Sequence, residues 1–242
     1  MAFRTDDGAV SGTSEGSEAA TPPELRAQLL ATEHWSLLAS RSLAWQEAFA
    51  RTGMYLATLS GSVVALALVA QADRFGHGFR LAAVVVLPVV LFVGVTTFVR
   101  LGASNYHDAM CVAGMNRIRH AYVELAPELA PLFVMSTYDD ARGVGVTMGV
   151  PPGRSHVPHL LSATPFVVAV VNSVVAGSAA ALAGGLLGLP DEVAVVVAVA
   201  GALASVAAHA WSAGRAIRKE QRSLHVLFPS PEISVSSPGR RP

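Results

Sequence analysis

Residues 81–99 read LAAVVVLPVVLFVGVTTFV, nineteen positions without a charge, bounded by Arg80 and Arg100. At 1.5 Å per helical residue such a run extends about 28 Å, close to the ~30 Å hydrocarbon core of a bilayer. Three further stretches have the same character: residues 54–71, 160–187 and 193–213. Together they form two close pairs. Residues 72–80, with Gly76 and Gly78, separate the first pair, and Gly188, Leu189 and Pro190 turn the second. Buried helices of soluble proteins are usually shorter than these runs. The chain is 52% hydrophobic and 14% charged, with a mean hydropathy of +0.48. Soluble domains carry about 25% charged residues. The expected fold is therefore all-α: an integral membrane protein with four transmembrane helices as two hairpins and a cytoplasmic helical layer.

The distribution of Lys and Arg gives an expected orientation. Fifteen lie before the first run, between the second and third, or after the fourth. Only Arg74 and Arg80 lie on the opposite side. The positive-inside rule then predicts a multi-pass protein of the cell membrane with both termini cytoplasmic. The formal net charge of zero hides this asymmetry of position. Residues 1–20 carry acidic and polar groups and no apolar core, so no cleavable leader is expected. Cys111 is the single cysteine, which excludes an intramolecular disulfide.

Between the spans the sequence divides further. Residues 1–20 read as a disordered tail, and 21–52 as a cytoplasmic amphipathic helix. That helix is expected to start with Thr21 as cap, Pro22 in first position and Glu24 completing a capping box. Glu47 and Arg51 stand four apart in the favourable order for an ion pair. Residues 53–100 form the first hairpin, in which Pro88 predicts a kink. Residues 101–159 comprise a second cytoplasmic helix, about 104–125, and a loop rich in Gly and Pro. Cys111, Met115, Ile118, Tyr122 and Leu125 make a short heptad-like seam on that helix. Residues 160–214 form the second hairpin. Residues 215–242 read as a basic helix end followed by a disordered tail from Pro229.

Small residues recur at fourfold spacing in the spans: Ala169, Ser173, Gly177, Ala181 and Gly185 in the third. The first has Ala57, Gly61 and Ala65, and the fourth has Gly201 and Ser205. Such rows let helix backbones approach closely, either within the hairpins or between copies in a homo-oligomer. Asn172 is the most polar residue well inside a span, where a bond to a neighbouring helix is the expected role and a solute path the alternative. His209, near Trp211 and Arg215, is expected at the cytoplasmic interface.

The densest polar group lies on the two cytoplasmic helices: Glu33, His34 and Arg41 on one, His107, Asp108, Asn116, Arg117, Arg119 and His120 on the other. Glu33 or Asp108 paired with Arg117 or Arg119 would tie the helices together. The same group offers a lipid-headgroup site or, less directly, lipid chemistry. Arg215, Arg218, Lys219 and Arg222 predict contact with anionic lipid headgroups beside the membrane. No interleaved aromatic or reading motif points to nucleic acid. No cofactor or metal is expected. His34, His107, Asp108 and His120 lack ligand spacing, and the His156/His159 pair sits among prolines. Gly12 to Gly16 matches a nucleophile-elbow pattern without the strand and helix it requires. Gly143, Gly145 and Gly149 lack dinucleotide spacing. The acidic pair Asp139 and Asp140 reads as solvated.

Two resemblances follow from these residues. The Ala-, Val-, Gly- and Arg-rich composition with one Lys is similar to that of actinobacterial four-span membrane protein families. Residues 33–125 resemble the SLATT group of two-span bacterial membrane proteins, through Glu33, His34 and Arg41, the tight hairpin, and Asn116 to Arg119 with Tyr122. The second hairpin departs from that two-span layout. The SLATT resemblance implies a pore-forming effector and transfers no individual residue role. The expected function is a non-enzymatic multi-span membrane protein that self-associates as a pore-forming or signalling effector. The alternatives are a small transporter or permease component, and a lipid-acting membrane enzyme.

Overall fold

A computed structural model describes residues 21–150, 163–223 and 225–231, with no side-chain detail for 220–223. The expected tail at 1–20, the His156/His159 pair and residues 232–242 lie outside the described residues. Among the described residues there is no strand, and four helices are long and apolar enough to cross a membrane. The fold is all-α.

Helix α1 runs Pro23–Asp73, 51 residues without a break. Helix α2 runs His77–Leu125, 49 residues, with Pro88 inside it. The helical backbone thus continues through residues 52–53 and 100–101 rather than restarting at each. At about 76 Å, α1 exceeds the hydrocarbon core by more than half its length. The excess runs alongside the end of α2 and forms a two-helix layer outside the apolar zone. Helix α3, Ala141–Thr147, and a 3₁₀ turn, Pro127–Leu132, follow α2. Helices α4, Thr164–Leu186, and α5, Asp191–Ser223, form the second hairpin. Helix α2 packs on α1 and on α4, and α4 on α5.

The start of α1 differs from the capping-box expectation. Pro22 takes the cap position with ψ 141°, Pro23 is the first helical residue, and no side chain caps the end. Two consecutive prolines explain the shift: a proline disfavours helical geometry in the residue before it, so Pro22 stays extended.

The first hairpin turns on two left-handed non-glycine residues, Arg74 (φ 47°) and Phe75 (φ 61°). Asp73 closes the turn, its carboxylate accepting the Phe79 amide at 2.8 Å at the start of α2. A Cβ on Gly76 would lie 2.8 Å from the Asp73 carbonyl oxygen, which is why glycine suits that position. The second hairpin turns through Gly188 at φ 74°.

The apolar core joins Tyr55 of α1, Val90 of α2, and Val168 and Val175 of α4. A second, smaller cluster outside the spans packs Ala109, Val112 and Ala113 against Val144 of α3. The α1–α2 layer holds an antiparallel register shown by Glu47 with Arg100, Arg41 with Asp108, and Arg26 with Glu124.

Candidate functional site

The structure assembles two polar regions, one among the spans and one at the basic end. The first draws a residue from each spanning helix. Tyr55 is fully buried and donates its hydroxyl proton to Asn172 Oδ1 at 2.8 Å. Asn172, also fully buried, has its Nδ2 3.3 Å from His209 Nε2. His209 Nδ1 lies 2.7 Å from the Ser205 carbonyl oxygen. These partners assign a neutral imidazole with its proton on Nδ1, so that Nε2 accepts from Asn172. Donation then runs in one direction, from Tyr55 through Asn172 and His209 to the α5 backbone. Ser173 donates to the Ala169 carbonyl at 2.8 Å, and its oxygen lies 3.2 Å from Ser205 Oγ.

Helix α2 contributes a gap and a ring. A Cβ on Gly94 would lie 1.8 Å from Asn172 Oδ1 and 2.8 Å from the Tyr55 ring, so only glycine admits the node. Phe98 stands edge-on to His209 at 4.6 Å between centroids. Gly94 is about 26 Å along α2 from His77, and His209 about 27 Å along α5 from Asp191. The node therefore sits inside the apolar zone, toward its basic end. The outward, snorkelling direction expected for the His209 side chain is replaced by an inward one. His209 is 9% exposed and bonded inward, while Trp211, 62% exposed, takes the outer position and receives Arg215 on its ring at 4.5 Å. Sequence reasoning missed Tyr55, Gly94 and His209 as partners of Asn172, because sequence spacing carries no register between distant helices.

The expected polar cluster at the basic end separates into distinct neighbourhoods. Asp108, 1% exposed, accepts from Arg41 through Nε and Nη2 and from Trp45 Nε1 at 3.0 Å. His107 Nε2 lies 2.9 Å from Ser40 Oγ and 3.5 Å from Cys111 Sγ. Burial, with the nearby Asp108 charge, pushes the Cys111 thiol above its ordinary value. His34 is half-buried, and its Nδ1 has no hydrogen-bond partner among the described residues. Burial lowers its pKa, and the Arg119 charge lowers it further. Glu33 is exposed. The expected pairing of Glu33 or Asp108 with Arg117 or Arg119 is replaced: Asp108 takes Arg41, and Arg117 takes Asp139 at 2.7 Å.

Asn116 is fully buried and links α2 to the following chain. It donates to the Tyr138 carbonyl at 2.7 Å and accepts from Arg119 at 2.7 Å and Thr147 at 3.0 Å. The acidic pair is not solvated. Asp139 is fully buried and accepts the amides of Leu227 at 2.9 Å and Phe228 at 2.7 Å. Its own amide donates to the Phe228 carbonyl at 3.1 Å. Arg117 also donates to the His225 carbonyl. Asp140 accepts Gly143 N at 2.8 Å, capping α3, and takes Ser230 N at 2.9 Å and its hydroxyl at 2.8 Å. Arg142 donates to the Pro231 carbonyl at 3.1 Å, and His120 stacks on Phe228 at 3.8 Å. Residues 229–231, expected as the start of a tail, are thus docked. Burial would raise both carboxyls. The Leu227 amide, Arg117 and the Phe228 amide outweigh it at Asp139, and the Gly143 amide and both Ser230 donors at Asp140. Both sit below the usual carboxylate value.

The small-residue rows divide by use. A Cβ on Gly177 would lie 2.8 Å from the Ala198 carbonyl, and one on Gly201 3.0 Å from Ala180 Cβ, so α4 and α5 consume theirs in their own hairpin. Ala181 is half-buried, and a Cβ on Gly185 would meet open space. On α1, Ala57, Gly61 and Ala65 are exposed, as is Gly53 one step before them. A Cβ on Gly53 or Gly61 meets nothing within 4 Å.

Among the described residues, no three His, Cys, Asp or Glu side chains group as a metal site. No protein-family model, curated protein or solved structure matches the chain.

Proposed function

We propose that this chain is a non-enzymatic membrane protein that self-associates in the cell membrane, both termini cytoplasmic, and acts as a pore-forming or signalling effector. The observation that carries the reading is the outward row on α1: Gly53, Ala57, Gly61 and Ala65 face away from the bundle, whereas Gly177 of α4 and Gly201 of α5 are packed within their own hairpin. In lipid, a row of small residues four apart is a surface on which a second helix packs closely. The fifteen-to-two Lys/Arg asymmetry supports the orientation. The resemblance of residues 33–125 to the SLATT group points the same way. The test is subunit counting by photobleaching of a fluorescent fusion in liposomes at low density. The wild type is expected as an oligomer. Gly61→Leu, which enters open space within the monomer, is expected to give single subunits, with Val63→Leu as control. A monomeric wild type would end the reading.

A transporter reading draws on one observation, the buried node of Tyr55, Asn172 and His209. Solute or ion flux in liposomes that is abolished by Asn172→Leu, with oligomeric state unchanged, would favour it. The lipid-enzyme alternative loses support because His107, Asp108 and His120 are engaged by Ser40, Arg41 and Phe228 respectively.

A further inference from the structure

A cleft of about 320 Å³ opens between α1 and α2, lined by Leu43, Ala44 and Glu47 on one side and Arg100, Ala103, Ser104 and His107 on the other. Arg100 is the first charge after the apolar run 81–99, about 9 Å along α2 beyond Gly94. His107 lies about 10 Å farther out. The cleft therefore spans the depth at which headgroups lie if the apolar helices span a bilayer. Its floor is charged. Glu47 accepts from Arg51 at 3.0 Å and from Arg100 Nη2 at 2.5 Å. Those hydrogen bonds, Arg100 first, hold the Glu47 carboxyl below its ordinary value, so it is ionised at neutral pH. Two guanidiniums against one carboxylate leave one positive charge, and both carboxylate oxygens are already engaged. An incoming ammonium meets a carboxylate already flanked by two guanidiniums, whose charge opposes it. A phosphate finds Arg100, whose guanidinium carries five N–H donors and binds phosphate oxygens in a planar fork. Leu43, Ala44 and Ala103 give the cleft an apolar wall beside that charge.

We propose that this cleft binds the phosphate of an anionic phospholipid, held by Arg100. The site is separate from the basic run at 215–222, and it rests on the reading of α1 and α2 as membrane spans. The experiment is native mass spectrometry of the full chain released from detergent with phosphatidylglycerol or phosphatidylcholine, with flotation on liposomes run in parallel. Flotation failure would remove the membrane reading itself. With flotation intact, the wild type is expected to retain phosphatidylglycerol about tenfold better than phosphatidylcholine. Arg100→Gln is expected to lose most of that preference. Ala103→Phe fills the cleft from an exposed position, keeps every charge, and is expected to lose it too, at an unchanged melting temperature. Arg215→Gln, at the rim of α5, is expected to retain it. Equal loss in Arg215→Gln, or full retention in Ala103→Phe, would reduce the effect to general surface charge and overturn the proposal. Glycerol phosphate competing at the same concentration as the lipid would assign the cleft to a soluble phosphate ester and likewise overturn it.

Discussion

The two polar regions solve one problem under different solvents. Among the spans, Tyr55, Asn172, His209, Ser173 and Ser205 are joined as neutral groups, each donor given an acceptor on another turn or helix. At the basic end, the buried Asn116 amide is joined by two buried carboxylates, Asp108 and Asp139, each facing an arginine that stays about one-third exposed. An ion buried in hydrocarbon costs several kcal/mol even when paired. A pair whose cation still reaches water keeps part of its hydration. Charge therefore tightens the layer outside the spans, and amide, imidazole and hydroxyl groups tighten the layer within them.

The strongest test of that contrast is steric. Gly94→Leu places a side chain where Asn172 Oδ1 and the Tyr55 ring already stand. Overpacking of this kind costs about 3 kcal/mol, and the thermal midpoint in detergent should fall accordingly. Gly61→Leu, facing open space within the single chain, should lower the midpoint only by what subunit association adds, and leave it within error once the wild type is dissociated.

Deleting a carboxylate should cost more than deleting an intramembrane amide. Asp108→Ala strands Arg41 and Trp45 Nε1, and we expect a loss of about 2–3 kcal/mol, below the full buried-pair figure because Arg41 is partly hydrated. Asn172→Leu strands the Tyr55 hydroxyl and His209 Nε2, and intramembrane hydrogen bonds average only about 0.6 kcal/mol, reaching ~1.7. Steric-trap unfolding of both variants measures the order. A larger loss from Asn172→Leu would reverse the comparison.

The docked segment 225–231 gives a pH test. Asp139 and Asp140 have folded pKa values below their unfolded ones, so their contribution is present above the ordinary carboxylate range. It disappears as pH falls through the lowered values. Amide exchange at Leu227, Phe228 and Ser230 should stay protected from pH 7 to pH 5 after correction for intrinsic rates, and Asp139→Asn should remove that protection at Leu227 and Phe228 at neutral pH. Protection that persists in the variant would move the anchor to Arg117 and His120.

The smallest effect concerns the first turn. Arg74 and Phe75 both occupy the left-handed region, which costs a side-chain-bearing residue about 1 kcal/mol or more. Arg74→Gly should raise stability by several tenths of a kcal/mol, the relief being reduced by the greater freedom of glycine in the unfolded chain. The same denaturation series measures it.

Charge-free runs such as 81–99, and Lys and Arg gathered on one side of them, were legible in the sequence because apolar length and charge position are properties of the chain alone. The turns at Gly76 and Gly188 and the Glu47–Arg51 pair were legible for the same reason, being local. Asn172 was visible as a lone amide, but not its partners. Tyr55, Gly94 and His209 lie 117, 78 and 37 residues from it along the chain. Only the packing of α1, α2 and α5 around α4 puts them within bonding distance. Asp139 and Asp140 read as solvated acids because their donors, the amides of Leu227, Phe228 and Ser230, carry no side-chain signature. Composition sets which segments leave water, whereas the helix register sets which polar groups meet, and register depends on contacts between residues far apart in sequence.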